Sequence, residues 1–128
     1  MKLASIDVGL KRIGVAICLT SDIVTPQPAI IRKNRNQAAT DVNAFLKEWE
    51  IEKLIVGFPS SSIDMQNRIN HFISLLELTI PYELKEENMS SIEAEDLIKG
   101  EIKYKRDGRI DSLAAKIILE RYLTKKIS

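Results

Sequence analysis

The sequence predicts an α/β fold on a mixed, five-stranded sheet. Three features predict it. The amino-terminal part alternates large and small residues with a period of two. From about Asn36 the apolar residues recur at helical spacing instead. Beyond that point, buried-strand runs and helical stretches alternate. The order is β-β-β-α-β-α-β-α-α. A meander that pairs antiparallel comes first, and the strand–helix units after it demand parallel pairing.

The elements follow in chain order. "KLASID" is a short apolar run ending at Asp7, a strand by its length and flanks. "RIGVAICL" places Ile13, Val15, Ile17 and Leu19 on one side and Gly14, Ala16 and Cys18 on the other. Its small-residue face is one that another element approaches closely. "VGLK" between them fits a hairpin turn using Gly9. A third strand is expected near "AIIRK", after the interruptions at Pro26 and Pro28.

The first helix carries Ala38, Val42, Phe45, Leu46 and Trp49 on its stripe. "KLIVGFP" is a buried strand stopped by Gly57 and Pro59. The next helix has Met65, Ile69, Phe72, Ile73 and Leu76 on its stripe, and Ser61 with Asp64 reads as its capping box. "YELKEE" is a strand after Pro81. "SSIEAEDLIKG" reads as a short helix with a Ser90–Glu93 capping box and a stop at Gly100. The last helix, "GRIDSLAAKIILERYL", puts Ile110, Leu113, Ala114, Ile117 and Ile118 on one stripe.

The chain has 128 residues. That fits one domain, 1–128, which buries roughly two-thirds of its unfolded surface. With 45% hydrophobic and 29% charged residues it reads as globular and water-soluble. No apolar run approaches the ~20 residues of a membrane span. No signal-peptide pattern precedes the first strand. The lone Cys18 lies in an apolar run and reads as a small core residue. These features point to the reducing cytoplasm. One Cys and one His cannot form a zinc site, and His71 lies off the apolar stripe of its helix, where it is expected to be exposed.

Net charge is only +1, but it is unevenly spread. Residues 1–36 hold six bases and two acids, +4; residues 37–101 hold five and thirteen, −8; residues 102–128 hold eight and three, +5. Two basic ends around an acidic middle suit a protein that grips a polyanion while acids hold cations.

In α/β sheets, function gathers at the carboxyl ends of the strands. Asp7 ends the first strand, Glu86 and Glu87 end the last, and Asp111 opens the last helix. Each has a plain structural reading as a turn, strand-end or first-turn acid. Brought together, such carboxylates cannot all stay ionised without a cation. Oxygen-only ligands favour Mg²⁺ or Mn²⁺. Two such ions can activate a water and stabilise the leaving oxygen of a phosphodiester.

Four stretches in order resemble the YqgF/RuvX family, Holliday-junction-resolvase-like nucleases of the ribonuclease H fold. "IDVGLKRIGVAI" resembles its opening motif and "LIVGFP" its strand ending in V-G-x-P. "EENMSSIEAE" resembles its D-E-R-[LM]-[ST]-[ST]-x-E-A segment, and "RIDSLAAKIILERYL" its closing helix. The resemblance runs from about Lys2 to Leu123. It implies a five-stranded mixed sheet with strands one to three antiparallel, flanked by helices. It also implies a cytoplasmic nuclease that processes the 5′ end of pre-16S ribosomal RNA, or else resolves branched DNA.

Carried onto this chain, the resemblance makes Asp7, Glu87 and Asp111 the catalytic, metal-holding acids for Mg²⁺ or Mn²⁺. Glu87 is preferred to Glu86 because the family's glutamate matches it identically. Lys11 and Arg12, with Arg106 and Arg109 near Asp111, are the expected phosphate-backbone contacts. The expected partner is nucleic acid, precursor rRNA before branched DNA, with no membrane, for a monomer or homodimer. The family's arginine after D-E is Asn88 here, and its L-N-x-x-G loop is "SSSIDM". These departures keep open a second class, an RNA-binding module without cleavage. Actin-like ATPases also open with a D-x-G turn, but they need a second phosphate loop, and no later D-x-G-[TS] occurs.

Overall fold

The fold is seen in a computed structural model that describes residues 1–20, 23–86 and 109–127, with the side chains of 109–111 and 125–127 outside that description. The strands are β1 (Leu3–Val8), β2 (Arg12–Cys18), β3 (Thr25–Ile31), β4 (Lys53–Phe58) and β5 (Tyr82–Glu86). The helices are α1 (Arg35–Glu48), α2 (Ile63–Leu76) and α3 (Arg109–Ile127). The sheet order is β3-β2-β1-β4-β5. β1, β2 and β3 pair antiparallel, while β1–β4 and β4–β5 pair parallel. This is the mixed sheet the sequence predicts. The expected helix over "SSIEAEDLIKG" lies outside the described residues.

Alternation along β1 sorts the core into two layers. Ala4, Ile6 and Val8 face α1 and α2, in one cluster with Ile13, Val15, Val42, Leu54, Val56, Ile69 and Phe72. Leu3 faces α3, in a second cluster with Ala16, Cys18, Ile55, Ala115, Ile118 and Leu119. Burying each large aliphatic side chain contributes roughly 1.5–3 kcal/mol. The small face of β2 is where α3 seats itself, as the sequence implies. Cys18 is a buried core thiol. α3 is buried more widely than one stripe: Ser112–Ala115 and Ile117–Leu119 are all covered. A helix that lies across β1, β2 and β3 needs an apolar surface wider than a stripe.

Two local expectations need correction. Pro26 and Pro28 lie inside β3 and not ahead of it. β3 is an edge strand, and an edge position whose backbone nitrogen faces outward tolerates proline. The cap of α2 is Ser62, not Ser61: its side chain accepts from the Met65 N–H. A one-residue shift leaves Asp64 in the first turn, where the helix dipole favours an acid, but not as the partner in a capping box. α1 does begin with a capping box, Asn34 with Gln37.

Lys53 ties the α3 layer to the sheet. Its Nζ donates to Tyr122 Oη at 2.9 Å and to Glu83 at 3.2 Å. The Tyr122 hydrogen bond first, then Glu83, raises its pKa above the ordinary lysine value, so this ammonium stays charged at neutral pH.

α2 ends on Glu77 in the left-handed region, at φ 48°. An L-residue there costs about 1–2 kcal/mol, which glycine avoids. Glu77→Gly is expected to raise unfolding stability by about 1 kcal/mol in urea denaturation, and no gain would mean that Glu77's side chain compensates.

Candidate active site at the carboxyl end of β1

Asp7 is the penultimate residue of β1 and is half-buried. Alternation puts it on the same face as Leu3 and Ser5, the face that α3 covers. Its partner across β2 is Gly14. On the other side, β1 and β4 run in register to Ile6 and Val56, so Gly57 stands at the next position beside Asp7. Asp7 is therefore flanked on both neighbouring strands by residues without side chains. Lys85 pairs with Gly57 and completes this row on β5.

Two buried serines seat α3 over this row. Ser5 Oγ donates to the Ala115 carbonyl at 2.6 Å, and the Val15 N–H donates to Ser112 Oγ at 3.1 Å. Both serines are fully buried. The Val15 contact falls where the β2–β3 register shifts between Ile13 and Val15. Ser112 is thus held one residue from Gly14, the partner of Asp7. Lys53 meets Tyr122, ten residues or nearly three turns further along. α3 therefore runs back along the sheet from the Asp7 end, and its first turn, which includes Asp111, begins at that end. Ser112→Ala is expected to destabilise the fold by about 1–3 kcal/mol, because a buried N–H loses its acceptor. Thermal denaturation checks this, and an unchanged midpoint would contradict the seating role.

The turn between β1 and β2 is built on Gly9. Its N–H donates to the Arg12 carbonyl at 3.0 Å, and a Cβ on Gly9 would sit 2.5 Å from that oxygen. Close approach, and not a positive φ, is the reason for glycine here. Arg32 clamps the turn from outside: its N–H donates to the Lys11 carbonyl and its Nη1 to the Gly9 carbonyl, each at 2.9 Å. Lys11 and Arg12 are exposed. Arg12 shares the Gly14 face and so lies on the same side as Asp7.

The expected acids are distributed unevenly. Glu86 pairs with Phe58, whose face is the α1/α2 face, so it points away from the Asp7 side. Its carboxylate accepts from Ser60 Oγ at 2.8 Å. Glu87 and Arg106 lie outside the described residues. Asp111 and Arg109 have described backbone in α3 only. Among the described residues no group of three Asp, Glu, His or Cys could hold a metal. The observable part of the proposed site fits a hard cation: a carboxylate oxygen donor, with two glycines leaving room around it. His71 is exposed, as expected, but it touches Arg35. Sequence reasoning missed Ser5, Ser112 and Lys85. A serine inside an otherwise apolar strand and another directly after a candidate acid were the available signals.

No described helix is long and apolar enough to cross a membrane. Comparison with known proteins then places the chain. Residues 1–125 match the family described as "RuvX: Holliday junction resolvase". A relative from Sulfurovum sp. (strain NBC37-1), named "Putative pre-16S rRNA nuclease", is 64% identical over 127 residues, covering 97% of this chain and 99% of the relative. Among solved structures, the fowlpox virus Holliday junction resolvase superposes with TM-score 0.60 at 17% identity, covering 98% of this chain and 99% of that one. RuvC from Thermus thermophilus superposes with TM-score 0.52 at 12% identity, covering 100% and 97%. At those identities the likeness speaks for the fold, which is ribonuclease H-like. On a match across nearly its whole length, the chain belongs to the RuvX family.

Proposed function

We propose that this protein is a divalent-metal-dependent nuclease, a hydrolase of phosphodiester bonds that processes the 5′ end of pre-16S ribosomal RNA. The reading takes the chain as one domain over 1–128, cytoplasmic, working as a monomer or homodimer. The observation that carries it is the meeting of Asp7, set between Gly14 and Gly57, with the α3 turn fixed by Ser112. The name carried by the 64% identical relative supports the same substrate.

In this reading Asp7, Glu87 and Asp111 hold Mg²⁺ or Mn²⁺. When bound, such an ion supplies a nucleophilic water at neutral pH and charge neutralisation at the phosphate. The chain's own residues do the rest. Asp7 is presented by a rigid central strand, which keeps its carboxylate fixed relative to the scissile phosphate. Arg12 shares its face, and with Lys11, Arg106 and Arg109 it engages backbone phosphates. The opposite facing of Glu86 supports Glu87 as the third acid.

The test is cleavage of precursor 16S rRNA by wild type, Asp7→Asn and Asp111→Asn, with a four-way DNA junction as a second substrate. The expected result is RNA cleavage by wild type that both variants lose. Equal cleavage by the variants would trace activity to a contaminant. Preferred cutting of the junction would replace RNA processing with DNA resolution. Tight RNA binding without cleavage in Mg²⁺ or Mn²⁺ would make the protein a binding module.

A further inference from the structure

Two arginines at the β3–α1 junction and a third more than thirty residues later meet on the opposite face of the sheet from Asp7. Arg32 follows β3, Arg35 opens α1 and Arg68 lies on α2. With Asn67, His71 and Phe72 they line a cavity of about 450 Å³. Arg32 is held by the Gly9 carbonyl and lies 5.7 Å from the centre of the Phe72 ring. Arg35 Nη1 is 3.1 Å from His71 Nε2. A guanidinium only donates, so Nε2 is the acceptor in this contact. Arg68 has no hydrogen-bond or ion-pair partner among the described residues, and none of the three arginines pairs with a carboxylate there.

This arrangement works against the fold. Three like charges around one cavity repel each other. Arg35 also stands at the first position of α1, where the helix dipole disfavours a cation, and no acid occupies that first turn. A bound anion reverses both penalties. Guanidinium groups match phosphate oxygens in two-point contacts.

We infer that this arginine-lined cavity is a docking site for the phosphodiester backbone of a polynucleotide, separate from the Asp7 site. The identity of the ligand rests on the nuclease reading; the cluster itself does not. Arg32 joins the cavity to the Gly9–Arg12 turn, so a strand passing over that turn meets Lys11 and Arg12 and then the cavity.

The test is fluorescence anisotropy with the full chain and two probes, a single-stranded RNA and a four-way DNA junction, across a salt series. The variants are Arg35→Glu/Arg68→Glu and the conservative Arg35→Lys/Arg68→Lys. Both positions are exposed, and removing a cation from the start of α1 is expected to leave the melting temperature no lower, which thermal denaturation of each variant checks. The Glu pair is expected to weaken binding at least about tenfold. It should also flatten the slope of log K against log salt by about 0.7 per lost phosphate contact on single strands. The Lys pair should recover most of the affinity. Loss on both probes assigns the shared backbone chemistry, and loss on RNA alone assigns RNA. Unchanged affinity and slope in the Glu pair would overturn the inference, as would failure of wild type to bind either probe. Should Asp7→Asn cleave like wild type while the Glu pair binds weakly, the nuclease reading falls and the docking site stands.

Discussion

Asp7→Asn is expected to cut the rate of precursor rRNA cleavage by at least about 100-fold while leaving the melting temperature within a degree or two of wild type. Loss of a residue that merely orients a metal ligand already costs 10–100-fold, so removing a ligand should cost no less. Asparagine matches aspartate in size and keeps an oxygen, but it lacks the charge that attracts a hard cation. The position is half-buried, not in the core, and its neighbours in the row are Gly14 and Gly57. The substitution therefore neither opens a cavity nor crowds a neighbour. Activity and stability should separate cleanly. If both fall together, Asp7 is a structural acid.

Gly9→Ala should lower stability by about 1–3 kcal/mol, the usual cost of forcing extra volume into a packed place. The added Cβ would lie 2.5 Å from the Arg12 carbonyl oxygen, and that neighbour is backbone that cannot rotate away. The turn must open, which strains its clamp to Arg32 and displaces Lys11 and Arg12. RNA affinity should fall with stability. Urea denaturation and a binding titration on the same sample measure both. An alanine variant as stable as wild type would show that the turn is looser than its hydrogen bonds indicate.

Much of the fold was legible because it depends on neighbours in sequence. The alternation of β1 and β2, the turn at Gly9 and the stripes of α1 and α2 are local patterns. Even the small face of Gly14, Ala16 and Cys18 announced that something packs there. The identity of that element, α3, was not announced, and its wide apolar surface read as a single stripe. The errors have physical causes. Ser61 and Ser62 are equally good caps, and only the geometry of the loop after Pro59 selects between them. Pro26 and Pro28 interrupt a strand only when it is internal, and sheet order is a tertiary fact.

The candidate site divides the same way. Asp7, the Glu86–Glu87 pair and Asp111 were visible as acids at strand and helix ends, and family resemblance chose Glu87 from the pair and gave the acids their role. Periodicity could not tell Glu86 from Glu87, whereas register puts Glu86 on the face away from Asp7. The serine anchors were hidden because a buried hydroxyl needs a partner from another element, here 110 and 97 residues away in sequence. The arginine cavity was hidden for the same reason: residues 32, 35 and 68 show no spacing that signals a site.

In the proposed mechanism Asp7 helps hold a divalent cation beside the first turn of α3. Mn²⁺ binding to the full chain, followed by electron paramagnetic resonance for wild type and Asp7→Asn, tests it without reference to any substrate. Wild type is expected to bind Mn²⁺, with an affinity at least about tenfold weaker in Asp7→Asn. Equal Mn²⁺ binding by the two proteins would contradict it.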